Sequence, residues 1–137
     1  MNKAEKALAI LLRISAVLLL TAVVPAVMPF AWMVEIHQRL GLGELSHARL
    51  TGYLTRSLSA LYAMHGALLM FVSFDVRRFL PVIRCLAVLK LVFGTGMIVL
   101  DVAVGMPTWW IVGEGPLIAA LGVVLLWLAG GVGRTVS

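Results

Sequence analysis

The sequence predicts an all-α membrane protein: four transmembrane helices in an up-down bundle, with a short amphipathic helix at the membrane interface after the first span. Three observations lead there. The chain has 137 residues, 62% of them hydrophobic and only 12% charged. A soluble domain of that size could not keep so much apolar surface out of water. Four apolar runs have helix-like length, and prolines, glycines and basic residues stand between them. The 11 Lys and Arg residues flank those runs rather than forming a patch. That placement encodes orientation in a bilayer and argues against nucleic-acid binding. The whole of 1–137 reads as a single integral membrane domain, with no soluble linker or internal repeat.

The first span covers about 7–28. Lys3 and Lys6 give it a basic start, but Arg13 interrupts the apolar run and no clean A-x-A site follows. It therefore reads as a retained anchor rather than a cleaved signal. Pro25 and Pro29 mark its exit. "PFAWMVEIHQRL" then predicts the interfacial helix, about 29–40. Met33, Ile36 and Leu40 share one face, Glu35 and Arg39 form an i,i+4 pair, and Trp32 suits headgroup depth. Gly41 and Gly43 stop it.

The second span covers about 51–74, and a basic turn, "DVRRFLPVIR", leads to the third at about 82–104. "GMPTWW" reads as an interfacial turn, where tryptophans are favoured. "GEGP" then opens the fourth span, about 114–130, with Pro116 in its first turn and "GGVG" as its stop. This last span is short, so Trp109 to Val112 are candidates to extend it.

Basic residues set the expected orientation. Lys3, Lys6, Arg13, Arg77, Arg78, Arg84, Lys90 and Arg134 fall on one side, and Arg39, Arg49 and Arg56 on the other, eight against three of the 11. Both termini are therefore expected in the cytoplasm. The single cysteine, Cys85, excludes an intrachain disulfide and a cysteine metal cage.

This layout, with "RSLSALYAMHG" in the second span and Arg56, Tyr62 and Gly66 within it, resembles the small four-helix DoxX-like membrane proteins of bacteria. The resemblance implies a four-helix bundle in a bacterial inner membrane. The cysteine pairs expected of a quinone-linked oxidoreductase are not in this sequence.

Few residues remain as candidates for chemistry. Within the second span, Ser59, Ala60, Ala63, Gly66, Ala67 and Met70 cluster around Arg56, a small-residue face suited to close packing. His65 stands nine positions from Arg56, about 180° around the helix, so the two cannot line one site. His65 is a candidate contact for a partner or cofactor, or a core histidine with a hydrogen bond. His37 and His47 lie toward the outer surface and are no mates for haem ligation within one chain. Lys90 and Asp101 share a face of the third span, about 16 Å apart. Lys90 has two readings, a snorkelling lysine or part of an ion path to Asp101. Glu114 at a helix start would be favoured by the helix dipole, and beside Trp109 and Trp110 it also suits a pocket rim.

Arg56, Asp101 and Glu114 come to similar depth, so the sequence predicts a polar cluster of Arg56, Asp101, Glu114, Trp109, Trp110 and Glu35. Arg56 would clasp one or both carboxylates. The cluster is expected to be structural or to floor a ligand pocket. No catalytic set, metal cluster or cofactor motif is present in the sequence. The expected function is non-enzymatic, an accessory subunit or a protein binding a lipid or other apolar ligand. The alternative is a membrane enzyme or carrier for an apolar substrate, with its site at the outer interface. Expected partners are membrane lipids, a protein subunit or a second copy.

Overall fold

The computed structural model describes residues 3–133, with side chains to 132, so Arg134 lies outside the described residues. The described chain is helical without strands: α1 Lys3–Leu20, α2 Val23–Val27, α3 Phe30–Arg39, α4 Arg49–Val72, α5 Leu80–Val104 and α6 Thr108–Gly133.

Three helical runs are long and apolar enough to cross a membrane: Lys3–Val27, Leu80–Val104 and Thr108–Val132. Only 28% of each is buried within the protein, so most of their apolar surface faces outward. Such surface requires a hydrocarbon environment. The remaining expected span, the second at about 51–74, corresponds to α4, which has 24 residues and the length to cross. It falls short on composition, because Arg49, Arg56, His65 and its hydroxyl residues dilute the apolar run.

The chain forms two compact units. One comprises the chain up to Leu12 together with the chain from Val72 onward, and the other is Arg13–Phe71.

The first is a hairpin unit. Its buried core includes Leu8, Leu12, Ile83, Ala87, Leu125, Ala129 and Val132. Glycines let α5 and α6 approach backbone to backbone. A Cβ on Gly94 would stand 2.5 Å from the Ala119 nitrogen, and one on Gly122 would stand 2.7 Å from the Ala87 carbonyl oxygen. These pairs fix an antiparallel register in which glycine replaces the usual side-chain layer. α5 ends where Gly105 turns left-handed at φ 78°, and the amides of Gly105 and Met106 bond the Asp101 carbonyl. At the other end, Arg77 pairs with Glu5, which is 1% exposed. Glu5 went unnoticed in the sequence because nothing local marks it as buried.

α6 begins six residues earlier than the Glu114 start expected for the last span. The Pro107 carbonyl accepts the amides of Trp110 and Ile111, at 2.9 and 3.1 Å, and so opens the helix there. Pro116 therefore lies inside α6, and "GGVG" continues the helix instead of stopping it. The local signals lose because Gly115 must be helical to meet α5: its Cβ would stand 2.8 Å from the Gly94 carbonyl oxygen.

The second is the α4 unit. Pro25 has no amide to offer, and the helix ladder loosens at Thr21 and Ala22 between α1 and α2. Thr21 places its hydroxyl on the Leu18 carbonyl at 2.6 Å. α3 starts after Pro29 and keeps the expected Arg39–Glu35 bond, 2.6 Å. Met33 is the buried member of its apolar face. The His37 ring N–H donates to the Gly43 carbonyl at 3.1 Å, and Gly41 and Gly43 take positive φ.

α4 packs along the earlier chain through its small face, as its residues predict. A Cβ on Gly66 would lie 2.9 Å from the Ala16 carbonyl oxygen and from the Leu20 nitrogen. Near its other end the Thr55 hydroxyl approaches the Met33 sulfur at 3.7 Å. α4 thus runs antiparallel to the segment from Ala16 to Met28. Thr55 and Ser59 satisfy their hydroxyls on carbonyls one turn back, at 2.9 and 2.8 Å, which suits an apolar setting.

Candidate functional site

The first four contributors to the site stand on one face of α4. Arg49, Gly52, Tyr53 and Arg56 follow at i, i+3, i+4 and i+7, the spacing of a single helical face. They line a cleft of about 450 Å³ with Phe30, His47, Ala48 and Ser57. Phe30 packs against Gly52, where a Cβ would lie 3.5 Å from its ring. His47 meets Phe30 edge-on at 5.7 Å between centroids. The Arg56 guanidinium donates to the Met28 carbonyl at 3.3 Å, which fixes it without neutralising it. No carboxylate lines the cleft.

The cleft is therefore cationic, with a phenol, a hydroxyl and an imidazole as further polar groups. Two arginines lining one space can hold an anion through their N–H donors. Arg49 also opens α4, whose first-turn amides add partial positive charge. Along the same face, Met64 and Phe71 are 64% and 57% exposed, so an apolar stripe continues from the cleft.

The other expected residues fall elsewhere. Glu35 is exposed and bound to Arg39. His65 is half-buried and is not among the residues of the cleft. In the hairpin unit, Trp110 donates its indole N–H to Glu114 at 2.5 Å, an i,i+4 pair inside α6. Trp109 meets Trp110 edge-on at 5.4 Å. The two tryptophans thus belong to the first turn of a helix rather than to an interfacial loop, and Glu114 is not at a helix start. Asp101 is 3% exposed and its Oδ2 has no hydrogen-bond partner among the described residues. It interacts electrostatically with Glu114. Lys90 is buried on the same stripe of α5 as Ile83, Leu86, Ala87, Gly94 and Asp101, not extended to the surface.

Each of the expected clasp residues has its own setting within its unit. Arg56 uses the Met28 carbonyl, Glu114 uses Trp110, and Asp101 keeps an unmatched oxygen.

His47, Arg49, Tyr53, Ser57 and Phe30 were missed as site residues. A signal for two of them, Arg49 and Tyr53, is present. With Arg56 they repeat at helical spacing, but in the sequence Arg49 reads only as a topological charge. Among the described residues no group of three His, Cys, Asp or Glu side chains could hold a metal ion.

Compared with protein-family models, curated proteins and solved structures, the chain finds no match.

Proposed function

We propose that the protein is a small integral membrane protein that binds an amphiphilic lipid and catalyses no reaction. The observation that carries this reading is the cationic cleft of α4 with the exposed apolar side chains of Met64 and Phe71 in helical line with Tyr53. A polar head would occupy the cleft and a chain would lie along the stripe. From Tyr53 to Phe71 the helix rises about 27 Å, enough for a long acyl chain.

On this reading α4 crosses the bilayer as the fourth helix of an up-down bundle of the DoxX-like kind, in a bacterial inner membrane, with both termini cytoplasmic. Its length supports this, as does its packing on α1 through Gly66. Thiol labelling tests the topology. Cys85 is exposed on α5, and an impermeant reagent added outside intact cells is expected to leave it unlabelled while labelling a Glu44→Cys variant. Labelling of Cys85 would reverse the orientation.

The binding reading is tested by purification in mild detergent followed by native mass spectrometry. A lipid retained at defined stoichiometry is the expected result. A protein that neither retains nor rebinds any amphiphile would overturn the reading, and a protein subunit recovered in its place would favour an accessory role.

One observation favours the alternative of a membrane enzyme or carrier for an apolar substrate. Asp101 buries a carboxylate oxygen without a partner beside Glu114, and unmatched polar groups inside membranes often mark working sites. That reading requires Asp101→Leu to abolish biological activity in a normally folded protein.

A further inference from the structure

We propose that the α4 cleft is a phosphate site and that the phosphate belongs to the headgroup of a membrane lipid. This rests on the amphiphile-binding reading and narrows it to one chemical class. A carboxylate head presents two coplanar oxygens, which one guanidinium fork satisfies. The cleft offers more than that: two guanidiniums at i and i+7, the Tyr53 phenol between them, the Ser57 hydroxyl and the His47 ring. Donors arriving from several directions match the oxygens of a tetrahedral phosphate. The positive end of the 24-residue α4 adds to the field at Arg49.

Charge balance points the same way. Arg39 and Arg77 stand in ion pairs with Glu35 and Glu5, and neither pair draws on Arg49 or Arg56. Arg56 donates to one carbonyl and keeps other N–H groups for a ligand. Two uncompensated guanidiniums in one cleft near apolar surface call for a multiply charged or strongly accepting anion. The apolar stripe beyond the cleft selects a lipid phosphate over free phosphate, because only the lipid covers both surfaces.

The test uses the full chain, delipidated in detergent and titrated by native mass spectrometry. The probes are phosphatidic acid, a fatty acid with the same acyl chain, and inorganic phosphate. Phosphatidic acid is expected to bind at least about tenfold more tightly than the fatty acid. The double substitution Arg49→Gln and Arg56→Gln should remove that preference. The pair Arg49→Lys and Arg56→Lys, which keeps the charge, should restore only part of it. Size-exclusion and circular dichroism check folding, and Tyr53→Phe, which removes only the phenol hydroxyl, provides a milder variant expected to weaken phosphatidic acid alone.

Equal binding of both lipids, unchanged by the arginine substitutions, would overturn the phosphate assignment and leave amphiphile binding standing. Binding of neither lipid would overturn both. Tight binding of inorganic phosphate with no gain from the acyl chain would overturn the headgroup assignment in favour of free phosphate.

Discussion

The α5–α6 hairpin and the α4 segment handle polar residues within apolar surroundings in opposite ways. The hairpin closes over its carboxylates. Glycines bring the two backbones together, Asp101 is buried, and Glu114 is held by its own helix through Trp110. α4 approaches another backbone closely through Gly66, and leaves Arg49 and Arg56 open on a cleft whose lining has no acid. The contrast shows that charge inside a membrane protein is not one phenomenon. A charge sealed between packed backbones constrains the fold, whereas a charge on an open helical face is available to a ligand.

Three experiments would break or sharpen that comparison. The largest effect is expected from glycine. Replacing Gly94 with alanine places a Cβ 2.5 Å from the Ala119 backbone, whereas the same change at Gly66 gives 2.9 Å and at Gly52 gives 3.5 Å from the Phe30 ring. We expect Gly94→Ala to cost about 3 kcal/mol, Gly66→Ala about half that, and Gly52→Ala little. Thermal denaturation in detergent checks the order, with Gly96→Ala, which meets nothing within 4 Å, as control. If Gly66→Ala proves the more damaging, α4 is the tighter region and the contrast reverses.

Next in size is Arg77→Ala. It removes the Arg77 partner of the buried Glu5 carboxylate and is expected to cost about 2 kcal/mol, below the range for fully buried pairs because Arg77 is half exposed. The matching change in the α4 unit, Arg39→Ala, breaks an exposed i,i+4 pair and should cost less than about 0.5 kcal/mol. Equal losses, measured by urea or thermal unfolding, would show that exposure does not separate the two pairs.

The smallest effect concerns Asp101. Its Oδ2 is buried and unmatched, so Asp101→Leu removes a desolvation penalty. Stability is expected to stay level or rise by about 1 kcal/mol. A marked loss would mean that the carboxylate has a partner in the membrane that its hairpin does not supply.

Much of the architecture was legible in the residues. The helix after Pro29, its glycine stop, the Glu35–Arg39 pair and the small face of α4 follow from spacing alone, and spacing is local. The start of α6 was not legible. "GEGP" carries every mark of a helix opening, yet Gly115 is needed as helix opposite Gly94, and the Pro107 carbonyl supplies the earlier cap. Tertiary contact overrode a sound local signal. The expected span at 51–74 met the length requirement as α4 but not the apolarity, since hydroxyl and basic residues serve its packing and its cleft.

The candidate site was legible only in part. Arg56 stood out as an arginine inside an apolar helix. Its company did not, because the residues that share its cleft include Phe30 and His47, which the chain brings back from another helix and a loop.

By itself, then, the sequence determined the membrane class, the helices and the faces they present, since these depend on composition and on a fixed angle per residue. The tertiary structure decided which polar groups meet. It set Arg56 on the Met28 carbonyl, buried Asp101 and Glu5, and gathered His47, Arg49 and Phe30 around one space. Those outcomes depend on how closely two backbones approach, and that distance is set by packing between segments far apart in the chain, which no local pattern encodes.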